Sequence, residues 1–349
     1  MSSLTSESAS PGGKRRRLRR AAKIAVLITA ATLGLATGGA YLATEHLAAQ
    51  VRRYPDVFSG RDEATRPQPT SSTTFLLVGS DSLSPEATTG SDAVDGVGTP
   101  GSQRSDVIML LHIDSGYSTA TVVSLPRDSW VPIPGRGMGK INAAFAYGGP
   151  RLLAETVEEY TKIRLDHVAV IDFAGFEAMI DAVGGIDLAV AGPSVAGTRT
   201  LRAGLNHLDG AAALAYVRER KNLPGGDLDR VRRHQNMIRA LLTKVIDGGI
   251  LADPARGYAF LDTLTRWISV DDTLDDNGLR GLVVRLRHLR VGNIPFLTAP
   301  VAGLGREGSQ SVVHLDTARC EELWNSVNTE HVEGYLRKYP TSPLGGSTP

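Results

Sequence analysis

The chain has 349 residues, a formal net charge of +1 and 42% hydrophobic residues, enough to bury a sizeable core without covalent staples. Its single cysteine, Cys320, excludes an intrachain disulfide and a cysteine-based zinc site, and it reads as a small buried residue. The near-zero total charge hides a strong asymmetry at the N-terminus.

Lys14, Arg15, Arg16, Arg17, Arg19, Arg20 and Lys23 precede an uncharged stretch over 24–44. At about 1.5 Å per residue that stretch is long enough to cross a hydrocarbon core of roughly 30 Å, so it is expected to be one transmembrane helix. The positive-inside rule then puts 1–23 in the cytoplasm as a basic tail and everything after Thr44 outside it, in a single-pass cell-membrane protein of the signal-anchor type. A basic run could instead bind nucleic acid, but the reading carries no nucleic-acid partner. Residues 45–73, with Pro55, Pro67, Pro69 and clustered Ser/Thr, read as a juxtamembrane linker. The globular domain is expected over 74–340, with a flexible tail at 341–349.

Within the domain, Phe75-Leu76-Leu77-Val78, Val107 to Leu111 and Thr121-Val122-Val123 are apolar runs rich in β-branched residues, expected as strands covered on both faces. The Gly/Ser/Thr/Asp-rich segment from Ser84 to Gln103 is a long loop, either a lid or disordered. Pro150 is expected to open a helix through about Lys162. A strand at 167–171, a helix at 173–182 stopped by Gly184-Gly185, and a strand at 186–190 follow. Asp209 is a plausible N-cap for a helix running to about Val217, and Asp227 or Asp229 for a long helix through Ile246. Helices near 254–267 and 273–289, and short strands near 292–297 and 312–315, complete the pattern. Alternating strands and helices predict an α/β fold: a layered α-β-α domain with a central mixed sheet flanked by helices.

Arginines with nearby carboxylates recur at four places: Arg104-Ser105-Asp106, Arg127-Asp128, Arg218-Glu219-Arg220, and Asp227 to Gln235, which holds Arg230. One such pair is usually a solvated surface contact worth ~0–1 kcal/mol. Guanidinium groups brought together by a fold, however, repel one another unless an anion sits among them, and their planar fork suits phosphate oxygens. Arg104 and Arg127, with Asp81, sit at the edges of strand-like runs, where α/β proteins bind ligands. Asp81 and Asp106 offer the hard oxygens that a phosphate-bridging magnesium takes. The first turns of the helix carrying Arg230, His234 and Gln235 add unpaired N–H groups that favour an anion. Phe173, Phe176, Met179 and Ile180, with Ile238, Leu241, Leu242 and Val245, either line an apolar tunnel or are ordinary core.

These segments, together with Lys140-Ile141-Asn142-Ala143-Ala144, Phe145-Ala146-Tyr147-Gly148-Gly149, Asp181 to Ile186 and Ala213 to Arg220, span about Phe75 to Val245 and resemble the LytR-CpsA-Psr family. That family attaches secondary polymers to bacterial peptidoglycan, and its members share the short basic tail and single helix. The resemblance implies a Mg²⁺-dependent phosphotransferase (Mn²⁺ as substitute) that needs no ATP. It would move a glycopolymer from a polyprenyl-pyrophosphate carrier to the C6 hydroxyl of N-acetylmuramic acid, with peptidoglycan and membrane lipid as partners. It places the metal on Asp81 and Asp106, and the pyrophosphate on Arg104, Arg127, Lys140, Arg218, Arg220, Arg230, His234 and Gln235. Arg104, Arg127 and Asp227 are the implied catalytic set, with Asp227 orienting arginines. His234 departs from the family, where many members carry glutamine. The general base stays open among Asp128, Asp227, a phosphate oxygen and a water on the metal. A pyrophosphate binder or sensor without transferase activity, and a membrane-tethered transcriptional attenuator, are the rival readings; which glycopolymer is carried is not legible.

Overall fold

The computed structural model describes residues 45–82, 89, 103–219, 223, 225–250, 252–286, 289–340, 344 and 346. The expected tail and span at 1–44, and most of the Ser84–Gln103 loop, lie outside these residues. Contacts divide the chain into residues 1–49, of which 45–49 are described and helical, and residues 50–349. Among the described residues no helix is long and apolar enough to cross a membrane.

The chain runs from helix α1 (45–50) through β1 (Arg52–Tyr54), β2 (Thr73–Ser82), β3 (Gln103–Ile113) and β4 (Ala120–Ser124) into the hairpin β5 (Trp130–Ile133) and β6 (Gly137–Lys140). Next come α2 (Ile141–Thr161), β7 (His167–Asp172), α3 (Phe173–Ala182), β8 (Ile186–Val190), the short pair β9 (Ser194–Ala196) and β10 (Arg199–Leu201), and β11 (Gly204–Leu208). Helices α4 (Gly210–Arg218), α5 (Asp227–Leu242) and α6 (Pro254–Trp267) lead to β12 (Ile268–Asp271) and α7 (Asp276–Arg285). Strand β13 (Phe296–Thr298), the hairpin β14 (Val301–Glu307) and β15 (Gln310–Leu315), and helices α8 (Thr317–Asn328) and α9 (Val332–Lys338) close the chain.

Seven strands form the central sheet in the order β1-β12-β7-β2-β3-β4-β13, with parallel pairs at β1/β12, β7/β2 and β4/β13 and antiparallel pairs elsewhere. Side chains alternate across it as the pleat requires. Leu76, Leu110, Val123 and Val168 face Leu153 and Val157 of α2 and Leu323 and Trp324 of α8. Phe75, Met109, Val122 and Phe296 face the other way, onto Ile238 and Leu242 of α5 and Leu282 of α7. The expected α-β-α layering with a mixed sheet is what the chain forms. A third cluster, with Ile180, Ile186, Tyr216, Met237 and Phe260, joins α3, α4, α5 and α6 beside the sheet.

Several boundaries differ from the sequence reading. The stretch read as a linker enters the domain: β1 is an edge strand, Val57 and Phe58 are core, and Arg66 is buried against Glu158. Pro150 does not open α2. The helix starts at Ile141 and breaks at Gly148 and Gly149, the latter at φ +61°, so Pro150 begins only its second segment. Neither Asp227 nor Asp229 caps α5; Gly226, at φ +59°, occupies that position, and Asp229 accepts the Gly225 N–H instead. The helix ends at Leu242 and passes through a π-turn at 243–247 before Gly249 turns it at φ +71°. Asp209 does cap α4, accepting from Ala212 N at 2.8 Å. In the expected tail, Leu344 N donates to Phe296 O at 2.7 Å, tying that residue to edge strand β13.

Candidate functional site

The site gathers where β3 starts, where β4 runs into Pro126-Arg127-Asp128, and where α5 begins. The β2–β3 ladder is regular from Thr73/Ile113 to Gly79/Val107, then shifts, so that Ser80 pairs with Ser105 and Asp81 with Arg104. Asp106 is the extra residue of this bulge. An unbroken ladder would have set Asp106 across from Ser80, one face away from position 81; a bulge releases the strand from that alternation and re-aims its side chains. Gly79 is required opposite it, since a Cβ there would lie 2.8 Å from Val107 Cβ.

Asp106 Oδ1 accepts from Arg127 Nη1. Arg127 Nε also lies 3.5 Å from Asp227 Oδ1 and 3.9 Å from Asp128 Oδ2. Asp227 Oδ1 pairs with Arg230 Nη2, and Asp128 Oδ1 pairs with Lys140 Nζ at 3.0 Å. Backbone bonds lock the pieces together: Ile141 N donates to Ser129 O at 2.9 Å and Asn142 N to Arg127 O at 3.1 Å. Arg127, Lys140 and Arg230 thus alternate with Asp106, Asp128 and Asp227. Around Arg127 and Arg230, protein carboxylates already supply negative charge among the guanidinium groups. The network is still incomplete: Arg127 Nε and Asp227 Oδ2 are buried without a hydrogen-bond partner among the described residues. A carboxylate oxygen left this way is the hard donor a divalent cation takes. Among the described residues no group of three or more His, Cys, Asp or Glu could hold a metal alone. A cation here would complete its shell from phosphate oxygens and water, as magnesium habitually does.

His234 is buried beside this network and its pKa is pushed down to about 4, first by burial and then by Arg230, with Asp106 opposing. It is therefore neutral at pH 7. A hydrogen bond with the Val217 backbone also opposes the downward shift. Gln235 Nε2 donates to Ser124 Oγ at 2.8 Å and to Leu297 O at 2.5 Å, pinning α5 to β4 and β13.

Helix α4 ends at Arg218 and Glu219 is extended, close to the expected end at Val217. Arg218 is exposed, with its guanidinium 4.1 Å over the Phe173 ring. Arg220 lies outside the described residues, and Asp81 and Arg104 are described through the backbone alone. The expected tunnel residues divide between core clusters. Phe176, Met179, Ile180, Leu241 and Val245 pack with α3, α4 and α6, while Ile238 and Leu242 pack under the sheet. Asp128, weighed from sequence as a base, is the residue that holds Lys140; its adjacency to Arg127 was the available signal.

The LytR_cpsA_psr family model matches residues 42–329. A probable cell wall biosynthesis protein, LcpB, of Corynebacterium glutamicum is 38% identical over 76% of this chain and 63% of its own length. The chain thus spans under two thirds of that relative. A polyisoprenyl-teichoic acid–peptidoglycan teichoic acid transferase, TagU, of Oceanobacillus iheyensis is 37% identical over 67% of this chain and 72% of its own. The structure of a LytR-Csp2A-Psr enzyme from Actinomyces oris superposes with a TM-score of 0.60 at 22% identity, covering 80% of this chain and 96% of that one, a likeness of fold.

Proposed function

The chain belongs to the LytR-CpsA-Psr family, and from that premise we propose that it is a membrane-anchored phosphotransferase, moving a glycopolymer from a polyprenyl-pyrophosphate carrier onto a peptidoglycan sugar hydroxyl. The observation that carries this reading is the Arg127 guanidinium, set among Asp106, Asp128 and Asp227 at the strand ends, with Arg230 and Lys140 beside it. A pyrophosphate diester has a good leaving group but repels nucleophiles through its charge. Catalysis therefore needs neutralisation and alignment more than covalent help. Arg127 and Arg230 would take phosphate oxygens, Asp227 would keep both guanidinium groups aimed, and Lys140, steadied by Asp128, would add a mobile positive charge. Asp81 and Asp106 would hold magnesium, which when bound lowers the charge on the phosphates. The acceptor oxygen forms a bond to the glycan-proximal phosphorus as the bond to polyprenyl phosphate breaks, and the hydroxyl proton passes to a base or to a phosphate oxygen. The N-terminal span would anchor the domain outside the cytoplasm.

Single-turnover transfer from a synthetic lipid-linked glycan to a peptidoglycan oligomer tests this. Wild type should transfer in the presence of Mg²⁺, and Asp106→Ala should lose that turnover while keeping its melting temperature. Lipid binding without any transfer would leave a binder, and chelator-insensitive activity in Asp106→Ala would remove the metal assignment.

A further inference from the structure

Residues that share a register position on a hairpin share a face. In β5–β6, Trp130 pairs with Lys140 and Pro132 with Met138, while Val131 and Ile133 turn inward and are buried. The outer face therefore carries an aromatic ring beside Lys140, followed by Pro132 and Met138. At the turn, Arg136 lies with its guanidinium 4.6 Å over the Tyr147 ring, and Tyr147 belongs to α2, the helix that Lys140 precedes. Met138 is 52% exposed and Tyr147 49% exposed. Among the described residues Tyr147 is the most exposed of the large aromatic side chains, ahead of Tyr258. Tyr147 sits directly before the break in α2. Gly148 and Gly149 end the first helical segment just after it, and a Cβ on Gly148 would lie 2.6 Å from Leu152 Cβ.

We propose that this surface is the acceptor-glycan subsite: a strip running from Tyr147 and Arg136 past Met138 and Trp130 to Lys140, on which a peptidoglycan sugar chain lies with its hydroxyl directed at the phosphates. The inference rests on the transferase reading above. Three features select a glycan. A pyranose ring presents a face of C–H bonds that packs on the electron-rich face of Trp or Tyr, while its rim hydroxyls need donors such as a guanidinium edge. The strip leads to Lys140 and, through Asp128, to Arg127, so a sugar bound on it adjoins the reacting phosphorus. Arg136 gives it positive charge, complementary to the carboxylates borne by peptidoglycan strands and indifferent to a neutral sugar chain. Seven residues of helical rise, about 10 Å, separate Lys140 from Tyr147, so the surface extends beyond the reacting sugar to its neighbours on the strand.

The test uses the full-length chain in detergent, with equilibrium dialysis of a radiolabelled N-acetylglucosamine–N-acetylmuramic acid tetrasaccharide and, separately, of Mg²⁺-pyrophosphate. Tyr147→Ala and Trp130→Ala should each weaken tetrasaccharide binding about tenfold, and Tyr147→Phe, which keeps the ring, less than threefold. Pyrophosphate binding and the circular-dichroism melt of Tyr147→Ala should not move. Tetrasaccharide affinity in Tyr147→Ala equal to wild type overturns the proposal. So does a loss confined to lipid-linked donor, which would assign the strip to the donor's glycan. A wild type that binds the tetrasaccharide through these residues yet transfers nothing sinks the transferase reading and leaves the strip standing as a glycan-binding surface.

Discussion

Two arginine–carboxylate clusters lie in this domain, and they differ in what is left over. Behind α2, Glu158 is fully buried and both of its oxygens are used. Oε1 accepts from Arg66 Nη2 at 2.9 Å and from Leu165 N at 2.8 Å, while Oε2 meets Arg66 Nε at 3.3 Å and Arg61 Nη1 at 2.5 Å. At the strand ends, Arg127 and Asp227 keep about a fifth of their side-chain surface exposed, and each retains a buried polar atom without a hydrogen-bond partner among the described residues. In the first cluster both carboxylate oxygens of Glu158 are used, with Arg61 Nη1 buried against Oε2 as an ion pair, and the contacts fasten 61–66 to α2 and to Leu165. The second has balanced charge but a carboxylate oxygen, Asp227 Oδ2, with no hydrogen-bond partner among the described residues, on side chains that are partly exposed. Counting arginines near acids does not separate the two; an unmatched carboxylate oxygen and partial exposure do.

Breaking the closed cluster should cost the most. Glu158→Gln keeps the size of the side chain but leaves two guanidinium groups without their carboxylate, so the domain should lose about 3–5 kcal/mol of stability, read from denaturant unfolding. A loss below 1 kcal/mol would show that water already enters there.

The open cluster should respond in the opposite currency. Arg127→Ala should lower single-turnover transfer about 10³-fold with a change in unfolding free energy under about 1 kcal/mol. Equal damage to folding would mean that this cluster, too, is mainly structural.

His234 sharpens the comparison through pH. Its folded-state pKa, about 4, lies below the ordinary histidine value of 6.5. The unfolded chain therefore binds the proton more readily between those values, and stability is lost as pH falls from about 6.5 toward 4. His234→Gln should flatten that slope while leaving stability at pH 7 nearly unchanged. A slope identical to wild type would show that other groups govern the acid limb.

The sequence made the layers and the site's neighbourhood legible because both rest on local patterns. The apolar runs at Phe75–Val78 and Val107–Leu111 became paired central strands, and Asp209 caps its helix. Features set by long-range contact stayed hidden. Strand β1, Arg-Arg-Tyr, has no apolar signature and is a strand only because β12 offers it an edge. Asp227 looked like a helix cap until Gly226 took that place and freed its carboxylate for Arg127 and Arg230. The partners of Gln235, Ser124 and Leu297, were hidden because a residue's type says what it can donate, and only its neighbours decide to whom. The helical start at Ile141 was not legible because Pro150 after Gly148-Gly149 marks only the beginning of the second segment of α2.

The bulge at Asp106 gives this site an unusual kind of fragility. Most binding pockets tolerate change according to which side chains are swapped, whereas this one depends on a count, one more residue in β3 than in the facing stretch of β2. Insertions and deletions, usually absorbed by loops, would here act like a frameshift in three dimensions. Losing one residue between Arg104 and Val107 would restore even pairing and leave the fold's ladder better formed, yet take the Arg127 anchor out of phase. Lineages descended from such a chain would be free to lengthen or shorten the loop beyond Ser82 while holding the spacing on either side of Gly79 fixed.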